Sequence, residues 1–533
     1  MGIDRRGFLK AGVAQAALLA GASASGLTGC ATHPGAAGIP PGTDPFRHGV
    51  ASGDPLADRV ILWTRVSPFA DRVGETIATD WWIALDPDGR EVVRSGIERA
   101  WPERDFTLKI DVDGLEPGTT YYYGFATAAG PSPTGRTRTL PIEQVDRVRL
   151  AVVSCSNYPK GFFNAYGAIA ARDDLDAVLH LGDYLYEYAE GEYGWGVRIG
   201  RIPDPIHEIV SLRDYRRRHA QYKTDPDLQA AHARHPWITV WDDHESANDS
   251  WREGARNHDP KGREGDWSDR KLAAIRAYYE WMPIRELPTK LFRQFRFGDL
   301  VDLVMLDTRL EGRDDRTSHT DHEAARDPAR TLLGREQTRW LLDALDASQD
   351  RGTAWRVIGQ QVVFSPTTDG VADFNPDAWD GYRADRRAIL DHLRDRFVHD
   401  VVFLTGDVHS AWAFDVPPPL DSGETYDPAT GAGARAVELV TPAVSSPPLG
   451  RTRKGKRSLD GLPSLPHLRY LEGRYNGFLV VDLDRDRARA RFVFTDSVKR
   501  RSAATRCGPA FETRRGASHL VEVDAGGGDG ACA

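Results

Sequence analysis

From about residue 148 onward the chain repeats one pattern: a short, β-branched apolar run, an abrupt polar cluster, then a charged stretch. The runs include RLAVVSC, AVLHLGD, WITVWDDHE, VDLVMLDTR, WRVIGQQVVF, VVFLTGDVHS, AVELVTPAV and FLVVDLD. Apolar residues occupy consecutive rather than alternate positions, so each run predicts a strand covered on both faces, as in an α/β sheet. Amphipathic stretches at Leu272–Trp281 and Arg335–Ala347 supply covering helices. The polar clusters fall where the strands end, which is where open α/β sheets hold their ligands.

Four clusters carry chemistry: SCSN at Ser154–Asn157, LGDYLYE with Asp183 and Tyr186, WDDHE at Trp241–Glu245, and LTGDVHS with Asp407 and His409. Each alone has an ordinary explanation. An Asp after an apolar strand is often a helix N-cap, and Tyr186 with Tyr184 and Tyr188 also reads as aromatic packing. Four together at strand ends predict one hydrolytic metal centre. Phosphate ester hydrolysis without a covalent intermediate needs an activated water, neutralised phosphoryl oxygens and a stabilised leaving group; two metal ions about 3.5–4 Å apart supply all three. No motif places a Ser nucleophile beside a base and an oxyanion site. His207, His219, His232 and His235 read as surface or core histidines.

The length of 533 residues predicts two to four domains. Paired Arg5 and Arg6 before Phe8, Leu9 and Lys10, then a diluted apolar stretch to Leu27, predict a twin-arginine export signal over 1–30. It closes on Leu27, Thr28, Gly29 and Cys30, similar to a lipobox with Cys30 as the lipidated residue. That predicts export by the twin-arginine machinery to the periplasm or cell envelope, with membrane contact only through a lipid anchor. Residues 31–43 read as a flexible tether. Residues 44–140 show short β-rich runs, and Leu115–Tyr122 is similar to the tyrosine corner of fibronectin-like or Ig-like sandwiches. Gly130–Gly135 reads either as the last hairpin or as the start of a linker. A catalytic region over 148–500 and a tail over 501–533, with Gly526–Gly530 reading as disordered, complete the division.

A net charge of -9 with interspersed signs offers no basic stripe for a nucleic-acid backbone, and a monomer is expected. The local basic run Arg451–Arg457 reads as a solvated loop or as a phosphate contact. With Cys30 lipidated, Cys155, Cys507 and Cys532 remain. Cys507 and Cys532 pairing in an oxidising compartment would leave Cys155 as a thiolate ligand or a small buried hydrophobe.

In this order the four clusters, together with the opening FRHGVASGDPLADRVILWTRV, resemble the alkaline phosphatase D (PhoD-like) family, relatives of the calcineurin-like and purple acid phosphatases. The resemblance covers nearly the whole chain. It implies an α+β or α/β fold: a small N-terminal β-sandwich, then a metallophosphatase-type β-sandwich flanked by helices. It implies that Cys155 binds a ferric ion, Fe(3+), as thiolate, Asp183 bridges two metals, Tyr186 binds iron as phenolate and His409 completes that site. Asp243 stands where relatives carry asparagine and Asp407 where they carry histidine, both toward the second metal; oxygen donors favour a hard ion, Ca(2+). His244 would donate a proton to the leaving group or stabilise the transition state. Gln360 and Gln361 replace a further histidine, and Asn157 and Gln361 are candidates for touching phosphate. The implied activity is attack of a metal-held hydroxide on phosphate monoesters, or on diesters in the manner of a phosphodiesterase or phospholipase D. A surface-binding lipoprotein with a closed structural metal site is the rival from another class.

Overall fold

The computed structural model describes residues 43–524 apart from 287–289, 369–373 and 461. The export signal, Cys30, nearly all of the tether, Gly526–Gly530 and Cys532 lie outside the described residues. Two large mixed sheets dominate. At the middle of the first, Arg147–Val153, Ala177–His180 and Pro236–Thr239 run parallel. In the second, Val301–Met305, Trp355–Gly359, Val401–Thr405 and Ala436–Val440 run parallel.

Alternate residues of the second sheet serve two cores, which is why its strands are apolar throughout. Leu303, Val357 and Val402 share one core with Leu150, Val178 and Ile238 of the first sheet. Val304, Ile358 and Phe403 share another with Leu341 and Leu345 of the helix Gly334–Asp350 and with Ile389 and Leu393 of Arg383–Asp395. The helix expected over Leu272–Trp281 begins earlier, at Trp267. Ser154 bridges Ala443, and the Thr441 hydroxyl donates to the Val152 carbonyl at 2.8 Å, so the carboxyl ends of both sheets converge.

The N-terminal sandwich is present, but one of its leaves is not its own. The strand Val50–Gly53 pairs in parallel with Pro236–Thr239, extending the first sheet into Val60–Arg65 and Thr107–Val112. A smaller sheet built on Val92–Ala100, Ile77–Ala84 and Thr120–Thr127 closes over that extension around Phe46, Leu62, Phe106, Tyr123 and Phe125. Gly53 permits the junction: a Cβ there would lie 2.2 Å from the Pro283 carbonyl oxygen. The tyrosine corner is real, with the Tyr121 Oη accepting from the Glu116 N–H at 2.8 Å. Gly130–Pro131 pairs with Ala126 and Thr127 and so belongs to a hairpin.

The tail drawn from residue 501 needs correction. Thr505–Arg514 pairs antiparallel with Arg487–Thr495, and Val521–Val523 pairs with it in turn. The sequence TRCGPAFETR hides this strand because its first half is only partly buried, so few of its side chains need be apolar. Cys507 on this strand is disulfide-bonded, while Cys155 is a free, buried thiol. Among the described residues no helix is long and apolar enough to cross a membrane.

Candidate metal centre

All four predicted clusters meet where the two sheets converge. Cys155, Asp183, Asp407 and His409 adopt left-handed backbone conformations, with φ of 63°, 56°, 62° and 53°. Such conformations cost non-glycine residues about 1–3 kcal/mol each, and persist where the surroundings enforce them. Here the loops enforce one another. Cys155 N–H donates to the Gly182 carbonyl at 3.1 Å and Ser156 N–H to the Asp183 carbonyl at 2.9 Å. The Glu245 carboxylate accepts the backbone N–H groups of Asp183, Tyr184 and Asp242 at 3.0, 2.6 and 2.8 Å. Gly182, at φ 100°, admits this approach, since a Cβ would lie 2.3 Å from that of Asp242.

Ligand atoms of Cys155, Asp183 and His409 lie within 4.8 Å of one another, and so do those of Asp183, Asp243 and His244. Asp183 is common to both groups. The Tyr186 Oη donates to Asp183 Oδ2 at 2.8 Å, lies 3.1 Å from His409 Nε2 and accepts from the Ser446 hydroxyl at 2.7 Å. Its neighbour Tyr184 turns inward to His232, at 3.0 Å, so only Tyr186 of that pair faces the centre. Asp407 stands on the Asp243 side, its Oδ1 3.7 Å from an Arg309 nitrogen that is 3.5 Å from Asp243 Oδ1.

Asn157 is 2% exposed with its side-chain Oδ1 unpaired. Gln361 does not fit a phosphate contact. Its Oε1 accepts from the N–H and hydroxyl of Thr308, at 2.9 and 2.5 Å, and its Nε2 donates to the Leu306 carbonyl at 2.9 Å. The amide is consumed in holding the loop that carries Arg309. Gln360 likewise joins Thr405 to Trp379, at 2.8 and 2.9 Å.

Several groups at this centre escape sequence reading. The guanidinium of Arg309 is fully buried, pairs with Asp242, reaches Asp377 at 2.8 Å and leaves its Nη2 without a hydrogen-bond partner. Its only sequence signal is its place after the apolar run VDLVML. Glu187 accepts from His244 Nδ1 at 2.7 Å, and Tyr193 stacks over His244 with centroids 6.3 Å apart.

The donors are crowded without enough countercharge. Burial, reinforced by Asp183, pushes the Cys155 thiol up, and burial with the same carboxylate raises Tyr186. Burial raises Asp183 despite the opposing pull of His244, and burial with Asp242 raises Asp407. Burial would raise Asp243 too, but Arg309 and His244 outweigh it and hold that carboxylate well below its usual range. Burial would lower His244, yet Glu187 and Asp243 raise it well above an ordinary histidine. Burial and His244 depress His409 to about 4, leaving a neutral imidazole of the kind that ligates metal. Anionic donors that hold protons when alone and release them to a cation are the donor set a metal centre requires.

The family model for PhoD-like phosphatases matches residues 150–492, and that for their N-terminal domain matches 30–141. Alkaline phosphatase D of Bacillus subtilis (strain 168) is 37% identical over 455 residues, spanning 82% of this chain and 75% of that protein. A solved structure of PhoD superposes with a TM-score of 0.79 at 33% identity, covering 91% of this chain and 93% of the other. The shared α+β architecture, the matched domains and the converging ligand clusters make one statement: this chain belongs to the PhoD-like phosphatase family and is a phosphoric ester hydrolase.

Proposed function

We propose that the chain is an exported phosphatase whose centre holds two cations, a ferric ion by Cys155, Asp183, Tyr186 and His409 and a calcium ion by Asp183, Asp243 and Asp407. The observation that carries this reading is Asp183, shared by two ligand groups that otherwise have no member in common. When bound, the cations supply Lewis acidity toward the phosphoryl oxygens and activate water. Thiolate and phenolate beside one imidazole suit a ferric ion, and carboxylates alone suit calcium. The bonded Cys507 and the arginine pair Arg5–Arg6 support export to an oxidising compartment, with Cys30 as the lipid attachment.

His244 has its Nδ1 engaged by Glu187, which fixes the ring and favours its protonated form. The other nitrogen is then left to give a proton to the departing ester oxygen. His244→Asn will lower kcat by about 10²–10⁴-fold, the usual worth of a positioned acid; a loss below threefold would remove His244 from that role. The metal assignment is tested by elemental analysis with a visible spectrum. Iron and calcium are expected, with a tyrosinate-to-iron absorption band that vanishes in Tyr186→Phe. Zinc or manganese without that band would overturn it.

A further inference from the structure

Three cations at the lip of the centre have no task in the chemistry above. The turn Tyr158–Lys160 leaves the SCSN cluster and ends with Lys160 Nζ 5.2 Å from the ring centroid of Tyr193. Tyr193 in turn lies over Tyr186, at 5.8 Å between centroids, and its Oη is 3.5 Å from His409 Nδ1. Lys499 Nζ donates to the Lys160 carbonyl, which places the second cation beside the first. The third, Arg451, ends the turn Leu449–Arg451. That turn continues the segment whose Ser446 hydroxyl bonds Tyr186. The basic run that follows is a helix, Arg453–Asp460, rather than a loop.

Among the described residues none of the three forms an ion pair, although their neighbours do. Arg500 pairs with Asp496, and Arg501 and Arg201 pair with Asp225. Burial and then Lys499 lower the Lys160 ammonium, and burial and then Arg451 lower that of Lys499, so the three charges act on one another in series. Lys160 also reaches His409 electrostatically. Like charges held together without carboxylates raise the local potential and draw an anion to the gap.

We propose that Lys160, Lys499 and Arg451 form a second anion subsite, which binds a phosphate or carboxylate carried on the leaving group of the ester. The inference rests on the phosphatase reading and adds a specificity to it: esters with a second negative group are favoured over those with one. The metal centre acts on the phosphoryl group, while the rim cations hold the far end of the same molecule. No bond is made or broken at the subsite.

The test compares kcat/KM for fructose 1,6-bisphosphate and fructose 1-phosphate in the metal-loaded enzyme. The unmutated enzyme will favour the bisphosphate, and added NaCl will erode that preference because exposed charges are screened. In Lys499→Ala/Arg451→Ala the ratio will fall by about tenfold, the effect of losing two partly exposed charge contacts. Lys499→Glu will lower it through KM. A ratio that ignores both salt and the substitutions overturns the subsite. Turnover of neither these esters nor a simple phosphodiester by the metal-loaded, unmutated enzyme overturns the phosphatase reading instead, and the subsite with it.

Discussion

Replacing Arg309 by methionine will cost the metal-free protein about 3–5 kcal/mol of folding stability at pH 7.5, the usual consequence of removing one partner from buried ion pairs. The guanidinium lies 0% exposed among four carboxylates, those of Asp242, Asp243, Asp377 and Asp407. Asp377 retains Arg313, but among the described residues Asp242 pairs with no cation other than Arg309. Its carboxyl already stands at about 6, because burial raises it more than Arg309 lowers it. Without Arg309 these groups take up protons more readily, so the deficit will shrink as the pH is brought from 7.5 to 5. Urea denaturation at the two pH values reads both effects. Arg309→Lys keeps a charge but not the planar fork, and will fall between. A loss under about 1 kcal/mol at both pH values would mean that Arg309 does not balance this cluster.

Acid will destabilise the metal-free protein as the pH falls below about 6.5. A belt of bases lies buried beneath the site: His48, His180, His219 and His232, each held below the ordinary histidine value chiefly by burial. His180 stacks on Trp237, which also lies 3.9 Å between centroids from His232, itself 3.0 Å from Lys223 Nζ. His219 stacks on Trp281 with both ring nitrogens unpaired. A base whose folded pKa is depressed stays neutral in the fold, while the unfolded chain takes the proton near its free value of about 6.5. Stability from these groups is therefore intact above about 6.5, and is lost as pH falls below it toward the folded values. His180, depressed to about 3, alone removes about 2 kcal/mol between pH 7 and pH 5, and the other three act in the same direction. Denaturation of metal-free protein at both pH values measures the sum. His219→Leu will reduce the loss, because burial holds this imidazole well below its ordinary value; an unchanged loss would show that this ring is already protonated in the fold.

The legible part of this protein is the part where one residue type does one thing. Strands such as Val401–Thr405 announce themselves because both faces are buried, and the ligand candidates Cys155, Asp183 and His409 because they follow such strands. Tyr186 was ambiguous beside Tyr184 and Tyr188, and only the fold separates the tyrosine that faces the centre from the one that meets His232. Arg309 was invisible because its carboxylates come from three separate stretches, and a charge balance of that kind has no local spacing. Gln361 misled for the opposite reason: its position suits a ligand, but its amide is spent on Thr308 and Leu306. The shared leaf of the N-terminal sandwich was equally hidden, since pairing of Ser52 with Pro236 joins residues no periodicity connects.

That shared leaf bears on the order of events during synthesis. The strand Val50–Gly53 leaves the ribosome early, yet its partner Pro236–Thr239 appears much later, and the first sheet still lacks Gly477–Asp484 on its other side. Every metal-ligand candidate from Cys155 to His409 is therefore translated before the scaffold that positions it can close. Pairings so distant along the chain are slow to form. The nascent protein is consequently a chain of unassembled ligands until nearly its last strand is made, and a partial product truncated before Gly477 has no route to an active centre.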